Sequence, residues 1–271
     1  MTDRYTKNPP THPYIHTLGP MRLLPLRFPL VAGVTASLYG LVIVQGGWVL
    51  GQIVPDGSLP TPSMVVPQTE ADGSLLQRLE GGTTQGTNLF HSFSTFNVPP
   101  GSTARFETEP AIANIFTRIT GGEISTIDGR IQAGGTANLF FLNPRGVVFG
   151  PGARLDIGGS FIVSSAERIF FADGTRFDVI DPGAEPLLTV SAPVGLGFGT
   201  APGALISHAN VTLDTSGPFP LAVSSSQLAV PEGRTLGLIG GELELVGGQF
   251  LAPAGRIELG TPRPQPSICK H

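Results

Sequence analysis

In ELELVGGQFL (242–251), Leu243 and Leu245 face one way and Glu242 and Glu244 the other. This is the period-two alternation of a strand with one buried face. A few alternating apolar positions closed by a glycine corner recur in RLDIGGSFIV (154–163), GRIQAGG (129–135) and GRIELG (255–260). Short strands with corners at irregular intervals of about twenty residues suit a solenoid, in which each turn of chain stacks on the one before. A β-sandwich or barrel also uses short strands and is the structural alternative. Similar neighbours on both sides of each corner favour the stack. The predicted class is all-β, a parallel β-helix.

One stretch departs from simple alternation. In ANLFFLNPRGVVFG (137–150), Leu139 to Leu142 and Val147 to Phe149 show no polar side, the mark of strands buried on both faces. Between them stands Asn143-Pro144. Proline has no N–H to donate and biases the residue before it away from helix, so the pair predicts a sharp turn. Such a turn holds two stacked strands in register, with Asn143 satisfying its own backbone, or it displays a surface to a partner. The apolar flanks put the structural role first.

Composition agrees with many short strands and tight turns. The 271 residues include 37 glycines and 26 prolines, but 40% are hydrophobic and only 13% charged, which excludes a disordered chain. The first 51 residues stand apart. Arg4, Lys7, Arg22 and Arg27 precede an apolar run from Leu30 to Val44, ended by Gln45-Gly46-Gly47. A basic start, a short apolar run and small residues at a cut site describe a secretory signal peptide, with cleavage predicted between Gly51 and Gln52. As a membrane anchor the run is short. Beyond residue 51 there remain twelve basic and nineteen acidic residues, a net charge of −7, with Lys270 the only lysine. The basic residues are scattered along the sequence, so no basic patch calls for nucleic acid. The single cysteine, Cys269, has no internal disulfide partner.

From Gln52 to about Thr261 the chain resembles the secretion domain of two-partner-secreted exoproteins, the filamentous haemagglutinin group, especially its cyanobacterial branch. The stretches that carry the resemblance are QIVPDGSL (52–59), NLFHSFSTFNVPPGSTARF (88–106), NIFTRITGGEISTIDGRI (114–131), ANLFFLNPRGVVFGPGARLDIGGSF (137–161) and LAVPEGRTLGLIGGELELVGGQFLAPAGRIELG (228–260). The resemblance implies a right-handed parallel β-helix with small antiparallel extensions, carried at the N-terminus of a secreted adhesin or toxin. Its implied partners are the Sec translocon, through the signal peptide, and the periplasmic domains of a dedicated outer-membrane β-barrel transporter. The implied location is secreted or cell-surface. The family's Asn-Pro-Asn-Gly-Ile motif is associated with secretion competence; here it reads Asn143-Pro144-Arg145-Gly146-Val147, with Asn114 and Asn138 in supporting positions. The expected organisation is a signal peptide over 1–51, the secretion domain over 52–261 and a disordered Pro-rich tail over 262–271.

No chemistry competes with this reading. His91, His208 and His271 are far apart without metal-ligand spacing, and His91 reads as a strand residue at the core edge. GLGFG (195–199) lacks the setting of a nucleotide loop, and NVT (210–212) matches a short glycosylation sequon. Asp128, Asp156, Asp173 and Asp178 sit beside glycines or on strands and read as turn and surface carboxylates rather than an acid pair. The expectation is a non-enzymatic domain without metal or cofactor. The rival is a β-helix enzyme acting on acidic polysaccharide, which needs a basic groove or a carboxylate-held metal. A third reading is a truncated gene product, because Pro262, Pro264 and Pro266 forbid regular pairing after the last strand. On that reading the final rungs are the least protected and associate with a neighbour.

Overall fold

In a computed structural model, residues 52–181, 188–208, 211–214, 221–224 and 227–262 are described. The predicted signal peptide, with Gly51, and positions 263–271 with Cys269 and His271 lie outside them. The described strands coil into a parallel β-helix with three sheets. The long sheet stacks Asn88–Phe96, Asn114–Ile119, Asn138–Leu142, Phe161–Ser164, Thr235–Ile239 and Arg256–Gly260 in parallel. The flank sheet runs in parallel through Leu75–Gly81, Thr103–Phe106, Arg130–Ala133, Arg154–Ile157, Gln227–Ala229 and Gln249–Leu251. A short sheet of Ser125–Ile127, Val147–Phe149, Leu205–His208 and Leu243–Val246 closes the third side. Each rung visits the flank, long and short sheets in turn. The four recurring sequence segments with glycine corners, at 129–135, 154–163, 242–251 and 255–260, therefore lie where the chain turns onto or between these sheets.

Alternation decides which residues fill the coil. In the long sheet Leu89, Ile115, Leu139, Phe161 and Leu236 are register neighbours and point inward. Phe106 from the flank sheet and Phe149 from the short sheet join them in one interior core. Phe96 makes edge contact with Phe141, their centroids 4.9 Å apart. Each fully buried side chain of this size contributes roughly 1.5–3 kcal/mol.

The outer face of the long sheet is buried too, as expected from the apolar 139–142 segment. An antiparallel sheet, Arg168–Phe171 between Arg176–Asp178 and Pro193–Gly197, lies over it. Phe90, Phe116 and Phe140 stack up that face with centroids 5.1 and 4.8 Å apart. Ile169, Phe171 and Phe177 cover them in a second core. Further antiparallel pieces are the hairpin Val211–Asp214 with Leu221–Ser224, and Ser63–Thr69 and Ile53–Pro55 at the N-terminal edge of two sheets. These departures from pure coil are the antiparallel extensions that the resemblance implies.

Candidate functional site at the Asn-Pro corner

Asn138–Leu142 belongs to the long sheet and Val147–Phe149 to the short one, so the four residues between them make a corner of the helix. Gly146 N–H donates to the Asn143 carbonyl at 2.9 Å, closing a four-residue turn with Pro144 and Arg145 at its centre. Proline presets the backbone angle at the first central position. The left-handed conformation falls on Gly146, with φ at +107°, and not on Arg145. Arginine in place of the family's asparagine therefore costs the turn nothing.

The Asn143 side chain is fully buried and uses both ends of its amide. Its Oδ1 accepts the N–H of Arg145 at 3.0 Å, the local bond expected of a turn asparagine. Its Nδ2 donates to the carbonyl of Glu123 and to Ser125 Oγ, each at 2.9 Å, on the preceding rung. The following rung is held by backbone: Gly203 N–H donates to the Pro144 carbonyl at 2.8 Å and Val147 N–H to that of Ala204 at 3.1 Å. A Cβ on Gly146 would lie 2.3 Å from the Ala204 oxygen. Pro144, Gly146 and Val147 are buried, and only Arg145 of the five motif residues is exposed. The corner is a clamp across three rungs with one cationic side chain on show.

Asn114 and Asn138 lie elsewhere, at the start of their strands on the outer face of the long sheet. Asn138 Nδ2 donates to Asn114 Oδ1 at 3.0 Å, and Asn114 Nδ2 to Asn88 Oδ1 at 2.9 Å. Ser160 N–H closes the lower end on Asn138 Oδ1, while Asn88 Nδ2 reaches the carbonyls of Thr189 and Ser191 at the upper end. Asn88 is thus the third member of a ladder of which the motif stretches suggested two. Its signal in the sequence is the repeated Asn-apolar-Phe of NLF, NIF and NLF at 88, 114 and 138.

A second buried network centres on Arg118. Arg118 is fully buried in the long sheet, with its Cζ 4.5 Å from the centre of the Phe177 ring. Its Nε donates to Ser92 Oγ at 2.8 Å, and its terminal nitrogens to Ser58 Oγ at 2.8 Å and the Asp178 carbonyl at 2.6 Å. The same hydroxyls of Ser58 and Ser92 donate on to Asp56, each at 2.7 Å, as does Thr120. Burial drives the Arg118 pKa down to about 10 against the pull of Asp56 and Asp178. Burial pushes the Asp56 carboxyl up, but hydrogen bonds from Ser92, Ser58 and Thr120 outweigh it and hold the group below its usual value. The lone arginine in the apolar strand NIFTRI is the one trace of this network in the sequence.

The remaining candidates do not converge. His91 is not at the core edge but fully inside the coil, against Phe93 and Phe106. Its Nδ1 meets Ser63 Oγ at 3.0 Å, Nε2 has no partner among the described residues, and burial lowers its pKa to about 3. His208 is exposed at the end of its strand, and GLGFG continues the antiparallel strand Pro193–Gly197. Of the sequon, Val211 and Thr212 open the strand Val211–Asp214, while Asn210 lies outside the described residues. Asp128 accepts Gly152 N–H, Asp156 accepts Gln132 Nε2, Asp173 binds Thr175 and Thr189, and Asp178 pairs with Arg168 and Arg176. Each carboxylate has a structural partner of its own: Asp128 and Asp156 bridge adjacent rungs, Asp173 holds its turn and Thr189, and Asp178 ties strands of the antiparallel sheet.

Over residues 51–269 the chain matches the model of the TPS secretion domain. Among solved structures it is similar to a filamentous hemagglutinin secretion domain at 15% identity and a TM-score of 0.33, covering 77% of this chain and 96% of that one. No curated protein matches it.

Proposed function

The chain belongs to the TPS secretion domain family, and from that premise we propose that the Asn143–Val147 corner makes the β-helix export-competent by locking its rungs. As a two-partner secretion exoprotein domain it is an exported module, served in general by an outer-membrane transporter. The observation that carries the proposal for the corner is that the Asn143 amide is engaged at both ends, Nδ2 on the preceding rung and Oδ1 within the turn. A recognition loop would keep such groups free for a partner. In this reading the transporter's periplasmic domains meet Arg145 at most, and the remaining motif residues act through folding. Signal cleavage between Gly51 and Gln52 belongs to the same proposal. Its support is that Gln52 already serves the fold, taking Gln77 Nε2 at 2.8 Å on its side chain and Asn97 N–H on its carbonyl. An adhesin role and a place in the cyanobacterial branch complete it, both resting on the motif stretches at 88–106 and 137–161.

Expression with and without a cognate outer-membrane barrel tests the reading. Protein should reach the medium only with the barrel and should begin at Gln52 on N-terminal sequencing. Arg145→Ala should be secreted like the parent, whereas Asn143→Ala should be lost in proportion to its loss of stability. A variant at Asn143 that melts like the parent yet stays in the periplasm makes the corner a recognition surface and overturns the proposal.

A further inference from the structure

The arginines scattered along the sequence are gathered by the fold. In the flank sheet Arg78 is the register partner of Arg105, and Arg130 that of Arg154, on strands about 4.8 Å apart. Like charges set opposite one another are unfavourable without an anion between them. Arg78 and Arg105 share one, since Glu107 Oε1 lies 2.9 Å from Arg78 and 2.7 Å from Arg105. Arg130 and Arg154 are exposed and have no ion pair among the described residues.

Both line a groove of about 410 Å³. Gly101, Gly129 and Gly152 are also in its lining. A Cβ on Gly129 would lie 2.4 Å from the carbonyl oxygens of Pro99 and Ser102, and one on Gly152 2.4 Å from that of Asp128. The corners at Gly129 and Gly152 therefore stack too closely on their neighbours for any residue but glycine. The turn between Ser63–Thr69 and Leu75–Gly81 lends the lining Glu70 and Asp72, and Thr103 and Gln132 add a hydroxyl and an amide. Asp72 is engaged by Ser74, Gln132 Nε2 donates to Asp156 at 2.8 Å, and Glu70 takes only a longer bond from Gln68 at 3.3 Å, leaving its second oxygen open among the described residues.

Two uncommitted cations beside carboxylate, hydroxyl and amide groups suit a ligand that carries both an anionic group and several hydroxyls. We propose that this groove binds an acidic oligosaccharide, with Arg130 and Arg154 holding its carboxylate or sulfate and Glu70 accepting from its hydroxyls. Guanidinium forks bind such oxyanions in bidentate fashion. A featureless polyanion would be repelled by Glu70 and Asp72, and a neutral sugar would leave the arginine pair uncompensated. Binding is independent of the export reading.

Calorimetric titration of the purified chain tests it with four probes: oligogalacturonate, a sulfated oligosaccharide, polyglutamate and a neutral maltooligosaccharide. One of the two acidic oligosaccharides should bind, and which one distinguishes carboxylate from sulfate as the recognised group. Arg130→Gln with Arg154→Gln should weaken that binding by roughly tenfold or more, about 1.4 kcal/mol, while Arg256→Gln, on the long sheet, should not. Glu70→Gln should weaken the saccharide and leave polyglutamate no weaker. Thermal melts check that the exposed substitutions leave the fold intact. The proposal is overturned if neither acidic oligosaccharide binds, if polyglutamate or the neutral sugar binds equally well, or if the double variant binds like the parent.

Discussion

Replacing Asn143 by alanine removes three hydrogen bonds at once: two donated by Nδ2 to Glu123 and Ser125, and one accepted by Oδ1 from Arg145. Each is worth about 1 kcal/mol net, and more where a partner is left buried without a substitute. Arg145 is exposed, so water can replace the bond to its N–H; Ser125 is buried and has no such replacement at hand. The expected loss is therefore about 2–3 kcal/mol. In a domain of this size each kcal/mol moves Tm by about 2–4 °C, so the variant should melt about 4–12 °C lower. Asn143→Asp keeps the acceptor for Arg145 but sets a carboxylate against the Glu123 carbonyl, and it should be at least as damaging. Arg145→Ala removes only an exposed side chain and should stay within about 0.5 kcal/mol of the parent. Urea unfolding of the four proteins, with m-values compared, measures all of this. A loss below about 1 kcal/mol for Asn143→Ala, or an equal loss for Arg145→Ala, would refute the view that the corner is a clamp.

Three further outcomes follow from the buried polar groups and the helix end. Arg118→Met should cost about 3 kcal/mol or more by thermal or urea unfolding, because it leaves Asp56 charged in a pocket stripped of its cation; an unchanged Tm would mean the network is dispensable. His91 is held neutral with its pKa at about 3, below its ordinary 6.5, so only the unfolded chain takes up its proton between those values. Stability should thus fall as pH drops below about 6.5, by up to about 1.4 kcal/mol per pH unit, a slope seen between pH 6 and 5 and absent in His91→Leu. A flat profile in the parent would show that the imidazole is hydrated or protonated in the fold. Amide exchange should be faster in Leu243–Val246, Gln249–Leu251 and Arg256–Gly260, where the three sheets end among the described strands and Ile257 and Leu259 remain 44% and 51% exposed, than in Asn138–Leu142; equal protection would reveal a cap over that end.

Much of this molecule is written locally. The alternation of Leu243, Leu245 and their glutamates, the glycine corners and the two-sided apolar run at 139–142 each reflect a period of two along one strand, so strands, corners and the Asn143 turn are legible without coordinates. Even the bond from Asn143 to Arg145 spans only two residues. What the chain does not write locally is which residues become neighbours across rungs. Successive steps of the asparagine ladder are 26 and 24 residues apart, and the antiparallel sheet intervenes before the next rung, so no fixed period announces the register. Arg118 meets Ser58 and Asp178 from 60 residues away on either side, and the cover over Phe90 and Phe116 comes from Phe171 and Phe177. The stacking of Arg130 on Arg154 likewise exists only once two corners align. Strand and turn preferences are short-range properties of the backbone and its immediate side chains, whereas rung register is chosen by the packing of the whole coil, and only the tertiary structure decides it.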